Sequence, residues 1–175
     1  MEKTNILIAL IFILFVLYPI FFRRKNKHQK KMANAESIIT TVNAIPHPGQ
    51  KLAYLRKIDP YAFEELILTL LQRKGFVIAR NKRYSGDGGI DGRFEHNKKT
   101  WLIQAKRYSD RIKQEHVSDF AEVLIERGCC GIFVHTGRTP KSVREFIENH
   151  GPNSIVIISG QRLLNLFDSS IKLTF

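Results

Sequence analysis

Cysteine is nearly absent from this chain. Its two thiols, Cys129 and Cys130, are adjacent and sit in an apolar stretch. Two neighbouring thiols make neither a disulfide framework nor a zinc site, and buried thiols in a reducing compartment are expected. The six histidines include no H-x-x-x-H spacing, so no histidine metal site is read. Repeats and long low-complexity tracts are lacking too. Acid is scarce: 16 Asp and Glu stand against 28 Lys and Arg, for a net charge of +12 and a pI of about 9.9. That imbalance points to a polyanionic partner, either nucleic acid or a membrane surface. A hydrophobic content of 43% with 25% charged residues excludes wholesale disorder. At 175 residues the chain holds about one domain, with length to spare.

The positive charge is uneven. Arg23, Arg24, Lys25, Lys27, Lys30 and Lys31 form one basic run without acid. From Met32 onward, 21 basic residues face 15 acidic ones, so half the excess remains for nucleic acid. Before the basic run, residues 6–22 are uncharged and close to the roughly 17–25 residues that span a bilayer as a helix. Tyr18, Phe21 and Phe22 lie at the end where aromatic rings favour the interface, and the basic run holds that end in the cytoplasm. A cleaved signal peptide is the competing reading. No small-x-small site follows, however, and the positive charge comes after the apolar run rather than before it. The expectation is an uncleaved single-pass anchor in a bacterial-type inner membrane, residues 1–31, with the soluble part in the cytoplasm. The basic run would also attract anionic headgroups.

Residues 32–58 read as a linker with one short helix at 35–42, broken at Pro46-His47-Pro48-Gly49. Residues 59–175 read as the folded domain. Asp59-Pro60 is a helix start. Phe63, Leu66, Ile67, Leu70 and Leu71 then recur at helical spacing until Gly75. Phe76–Ala79 predicts a buried strand, and Ser85–Gly89 a loop. Strands at 90–95 and 100–106 surround a turn at 96–99. A helix at about 114–127 precedes a strand at 131–135, a helix starting at Thr139-Pro140, a strand at 155–158 and a short helix around Leu163, Leu164 and Phe167. The order αβββαβαβα gives an α/β fold, a mixed sheet flanked by helices.

Gln104 and Lys106 lie two apart on one strand and share a face. A two-residue turn at Lys98-Lys99 sets Asp91 opposite Lys106, and a turn at Asn97-Lys98 sets it opposite Gln104. Either register puts Asp91 on the face of Gln104 and Lys106, beside a glycine-rich loop. Hard divalent ions want oxygen ligands, which Asp91, the Gln104 amide and the Ala105 carbonyl can offer. A lysine beside the ion can orient or deprotonate water, or neutralise developing phosphate charge, and the glycines let a phosphodiester approach the backbone. These are parts for metal-assisted phosphodiester hydrolysis. The same residues also occur as ordinary turn chemistry and a solvated strand face.

Phe63-Glu64, Gly86-Asp87-Gly88-Gly89-Ile90-Asp91-Gly92 and Gln104-Ala105-Lys106-Arg107-Tyr108 follow one another in an order and spacing that resemble the Mrr-type restriction endonuclease domain of the PD-(D/E)xK nuclease superfamily. The similarity runs from about Asp59 to about Phe167, through Phe133-Val134-His135-Thr136-Gly137 and the Thr139-Pro140 helix start. It implies a restriction-endonuclease-like αβββαβ core behind the N-terminal transmembrane helix, and a DNA endonuclease using Mg²⁺ (or Mn²⁺). It implies Asp91 as the metal-binding aspartate, Gln104 where most of the superfamily has Asp or Glu, Lys106 as the catalytic lysine and Glu64 as the helix glutamate at the metal site. Asp87 matches a recurrent family position and is a possible accessory. Glu65 falls off the motif by one residue. Two features depart from the family. Gln104 brings no charge to the metal, and a membrane helix with a linker stands where restriction members usually carry a DNA-recognition domain. Site-specific cutting is therefore not expected.

Arg80, Lys82, Arg83, Arg107, Arg111 and Lys113 flank the motifs and are candidate phosphate contacts, with a solvated basic surface as the alternative. Tyr84 and Tyr108 are expected to pack rather than stack on bases. Double-stranded DNA is the expected partner, and cutting both strands suits a homodimer. A noncatalytic membrane-tethered nucleic-acid-binding module, a structural membrane protein whose basic run binds lipid, and a junction resolvase or RNase using the same site remain open as alternatives.

Overall fold

The computed structural model describes residues 32–81, 89–150 and 155–173. The anchor expected at residues 6–22 lies outside the described residues. Among these, no helix is long and apolar enough to cross a membrane.

The chain enters through helix α1 (residues 32–44) and α2 (Pro48–Leu55), then α3 (Pro60–Arg73). Strands β1 (Ala79–Arg80), β2 (Gly92–His96) and β3 (Lys99–Lys106) follow. The remainder is α4 (Gln114–Arg127), β4 (Cys130–His135), α5 (Lys141–His150), β5 (Ile155–Ile158), α6 (Gly160–Leu164) and a 3₁₀ turn at Asn165–Phe167. The five strands form one sheet in sequence order, antiparallel from β1 to β3 and parallel from β3 to β5. The mixed α/β fold expected from the element order is present.

Asp59 caps α3, accepting the Ala62 N–H at 3.0 Å, with Pro60 in the first turn. The α3 stripe of Phe63, Leu66, Ile67, Leu70 and Leu71 is fully buried, at roughly 1.5–3 kcal/mol for each large apolar side chain. It packs with Trp101, Ile103 and Ala105 on one face of the sheet. Helix α4 buries Val117, Phe120 and Leu124 with Leu102 and Phe133 on the other face, joined by Val143 of α5. Strands β3 and β4 are thus covered on both sides, as parallel strands require.

Two expectations need correction. Residues 32–58 are not a linker. Ile38, Ile39, Val42 and Leu55 belong to the α3-side core, and only residues 45–47 separate the two helices. Pro48 opens α2 rather than ending a helix, because proline fits a first turn. The strand expected at Phe76–Ala79 is only the two-residue β1, shifted to Ala79–Arg80, and Val77 is 89% exposed. Here Phe76 packs on Phe94, with ring centroids 4.6 Å apart. Side-chain packing rather than ladder pairing holds the segment.

The β2–β3 turn is Asn97-Lys98, both at positive φ (52° and 60°), as a tight two-residue hairpin demands. It pairs His96 with Lys99 and Gly92 with Ile103. The regular register ends at that last pair, one residue short of Asp91.

If α1 and α2 are core elements, Ile39→Ala and Leu55→Ala should each lower the unfolding free energy by about 2–5 kcal/mol. Urea titration of the full chain reads this directly, whereas a mere connector would tolerate both changes within about 0.5 kcal/mol.

Candidate active site

Regular pairing of β2 with β3 ends at Gly92, and the next residues are held differently. The Asp91 N–H bonds the Ile103 carbonyl at 2.8 Å, one step off the ladder. Its carboxylate Oδ2 accepts the Ala105 N–H at 2.7 Å. A side chain thus takes the place of a strand partner. The regular hairpin register thus reaches only to Gly92, and Asp91 is tied instead to the residues on either side of Gln104, Ile103 and Ala105.

Gln104 is buried. Its Nε2 donates to the Gly89 carbonyl at 3.0 Å, which fixes the orientation of the amide. Gly89 has φ +73°, and a Cβ there would stand 2.5 Å from that nitrogen. Asn81, which the sequence reading passed over, closes the other side. Its N–H donates to the Asp91 carbonyl (2.9 Å) and its Nδ2 to the Ile90 carbonyl (2.9 Å). Asparagine at the end of an edge strand, before a loop, was the available signal.

Lys106 is half-buried at the end of β3. In the parallel pairing with β4, Gln104 neighbours Phe133 and Lys106 neighbours His135. His135 is fully buried. Burial pushes its imidazole down to about 4, with a backbone hydrogen bond at Gly137 pulling the other way. Its Nε2 pairs with the Thr139 hydroxyl at 3.2 Å. The Lys106 ammonium also acts on Glu115 and His116 at the start of α4.

Glu64 is half-buried on α3, whose apolar stripe packs with Ile103 and Ala105 rather than Leu102. Asp87, Lys82, Arg83 and Tyr84 lie outside the described residues. Among the described residues, no three His, Cys, Asp or Glu side chains group to hold a metal.

The basic candidates divide. Arg80 is engaged within the fold. Its Nε bonds buried Glu65 at 2.8 Å and its guanidinium also reaches Gln72, because a buried carboxylate demands a partner. Arg107 is half-buried and donates to the Arg56 carbonyl at 2.7 Å. Arg111 and Lys113 are exposed, with Lys113 3.0 Å from Glu115.

A hard divalent cation fits this donor chemistry. A carboxylate has about four lone-pair sites, and Asp91 Oδ2 accepts the Ala105 N–H. Amide and backbone carbonyl oxygens lie within the same strand end. Magnesium takes one or two carboxylates and fills its shell with water and phosphate, so a single carboxylate and neutral oxygens suffice.

A restriction endonuclease family model of Mrr type matches residues 55–167. The chain belongs to that family. The matched span takes in α3, the whole sheet, Asp91, Gln104 and Lys106, making this an Mrr-type, restriction-endonuclease-like nuclease domain. Among solved structures, the MspJI restriction endonuclease in complex with a 27-mer oligonucleotide is similar at 22% identity and a TM-score of 0.45. The alignment covers 78% of this chain and 30% of that one, so the chain spans less than a third of that neighbour's length. No curated protein matches the chain.

Two measurements probe the site's framework. Gly89→Ala should lower the unfolding free energy by about 1–2 kcal/mol from the positive φ alone, and displace the Gln104 amide resonances in an NMR spectrum. His135 has a folded pKa of about 4, below its unfolded value of about 6.5. The unfolded state therefore binds more protons between these values. Stability from this group is complete above about pH 6.5 and is lost as pH falls towards about 4. Urea midpoints should fall more steeply over that range in wild type than in His135→Gln.

Proposed function

We propose that this chain is a metal-dependent DNA endonuclease that hydrolyses phosphodiester bonds at Asp91, Gln104 and Lys106. What carries the reading is the single strand end where Asp91 is tied to Ala105, Gln104 to Gly89 and Lys106 follows two residues on, within an Mrr-type domain. Asp91 and the Gln104 amide oxygen would hold Mg²⁺ or Mn²⁺, with Glu64 and Asp87 as further candidates. When bound, the ion would supply positive charge against the phosphate oxygens and lower the pKa of water. Lys106 stabilises negative charge on the attacked phosphate, or orients the water.

Double-stranded DNA is the proposed substrate. The net charge of +12 favours a polyanion, and Arg111 and Lys113 are exposed beyond the end of β3. The apolar run at residues 6–22 and its basic flank support a single-pass inner-membrane anchor with the domain in the cytoplasm. Cleavage of both strands suits a homodimer.

Full-length protein in detergent should cut plasmid DNA with Mg²⁺ and stop in EDTA. Lys106→Ala and Asp91→Ala should each slow cleavage by about 10²–10⁴-fold while retaining DNA binding. Gln104→Glu, which restores a second anion, should lower the Mg²⁺ concentration needed for half-maximal rate. If wild type and Lys106→Ala are equally inert on plasmid, linear and branched DNA, yet bind it in EDTA, the chain is a tethering module and not an enzyme.

A further inference from the structure

Beyond Lys106 the chain is pressed against the end of β4. Thr136 is buried. Its hydroxyl accepts the Tyr108 N–H at 2.8 Å and donates to the Tyr108 carbonyl at 2.7 Å. A Cβ on Gly137 would stand 2.6 Å from the Asp110 carbonyl and 2.9 Å from the Tyr108 Cβ, so only glycine permits this approach. Arg138 N–H donates to the Asp110 carbonyl at 2.7 Å, and Ile112 N–H to the Arg138 carbonyl at 3.1 Å. These bonds fix Tyr108. Its ring meets His135 edge-on at 6.2 Å and lies 5.8 Å from the ring of His116. The Tyr108 hydroxyl is hydrogen-bonded to His116 Nδ1.

His116 is the third residue of α4, next to fully buried Val117, so its backbone has no freedom either. Its side chain is 29% exposed. The charged or titratable groups around it are Tyr108, Lys106, Glu115, Lys113 and Asp119, with His135 behind Tyr108. Glu115 does not claim the outer nitrogen. Its Oε1 is 3.7 Å from Nε2, too long for a hydrogen bond, and 3.0 Å from Lys113.

Proton positions follow. Burial, reinforced by Glu115, pushes the Tyr108 hydroxyl up to about 12, so it keeps its proton and can donate it to Nδ1. Burial and then Lys106 hold the His116 ring below its ordinary value. A neutral ring with Nδ1 accepting carries its proton on Nε2. A directed N–H thus lies within electrostatic reach of the Lys106 ammonium, a combination suited to a phosphate oxygen and unsuited to a cation.

We infer that His116, oriented by Tyr108, is a second phosphate-contacting residue of the site beside Lys106, and that Tyr108 is its positioning residue. The inference rests on the proposed nuclease reading, because it takes a phosphodiester as the ligand.

The test uses the full chain in detergent with isotopically labelled histidine, a short DNA duplex as probe and EDTA throughout, so that cleavage is not needed. The His116 titration midpoint should rise by about one unit when duplex is added, since a nearby anion favours the protonated ring. His116→Ala should weaken duplex binding by roughly tenfold. His116→Gln, which retains an N–H donor, should recover part of that loss. Tyr108→Phe should reduce the midpoint shift. A midpoint that stays put with duplex bound, or with no duplex bound at all, overturns the inference. So does duplex binding by His116→Ala equal to that of wild type, with only the melting temperature lowered. Failure to cut DNA in Mg²⁺ sinks the nuclease reading on a separate readout. Cutting by a protein whose His116 midpoint does not move sinks this inference alone.

Discussion

The candidate site depends on a carboxylate standing in for a strand. Where β2 stops pairing, Ala105 would be left with a backbone N–H lacking its ladder partner, and Asp91 Oδ2 accepts it at 2.7 Å. A buried donor without a partner is costly, so this bond serves folding in its own right. It also sets the carboxylate on the backbone of Ala105, the residue between Gln104 and Lys106. Gln104 makes the reciprocal tie, from its side chain back to the Gly89 backbone. Loop and strand thus brace each other through two side-chain-to-backbone bonds. The candidate metal donors are fixed by the same contacts that end the sheet.

Strands β3 and β4, next to this brace, are covered on both faces. The polar intruders, Gln104, His135 and Thr136, are each held by hydrogen bonds to backbone or hydroxyl groups. They cluster at the carboxyl ends of β3 and β4, where Lys106 emerges. Polar groups in such a layer require satisfied bonds, and here those bonds run between β3, β4 and the loop that follows Lys106. Shape and charge at that end of the sheet are therefore largely preset before any ligand arrives.

Much of this was legible in the sequence where the cause is local. Asp59-Pro60 marks a helix start by capping chemistry, and the α3 stripe follows from spacing alone. The Asn97-Lys98 turn selected one of the two registers that local reasoning left open. What local reasoning missed has nonlocal causes. Ile38, Ile39 and Val42 are sparse apolar residues in a polar stretch, and only the surface of α3 and the sheet makes them core. Arg80 resembles a phosphate ligand until Glu65, fifteen residues earlier and buried, is seen to hold it. The displaced ladder at Asp91 requires the partner strand. Tyr108 was expected to pack, and it does, but its link to His116 spans a loop that no periodicity describes. The roles of Asp91, Gln104, Lys106 and Glu64 came from resemblance, and spacing could supply only part of their geometry.

The burial of α1 and α2 changes what lies between residue 32 and the sheet. A flexible stretch of 27 residues would let the site wander over a root-mean-square distance of roughly 30 Å. As two packed helices, residues 32–58 contribute almost no slack. A force applied at residue 32 would therefore act on the packed domain directly, with little play taken up by this segment. A displacement of helix α1 would therefore reach α3 and the sheet through packed side chains rather than be lost in a flexible connector.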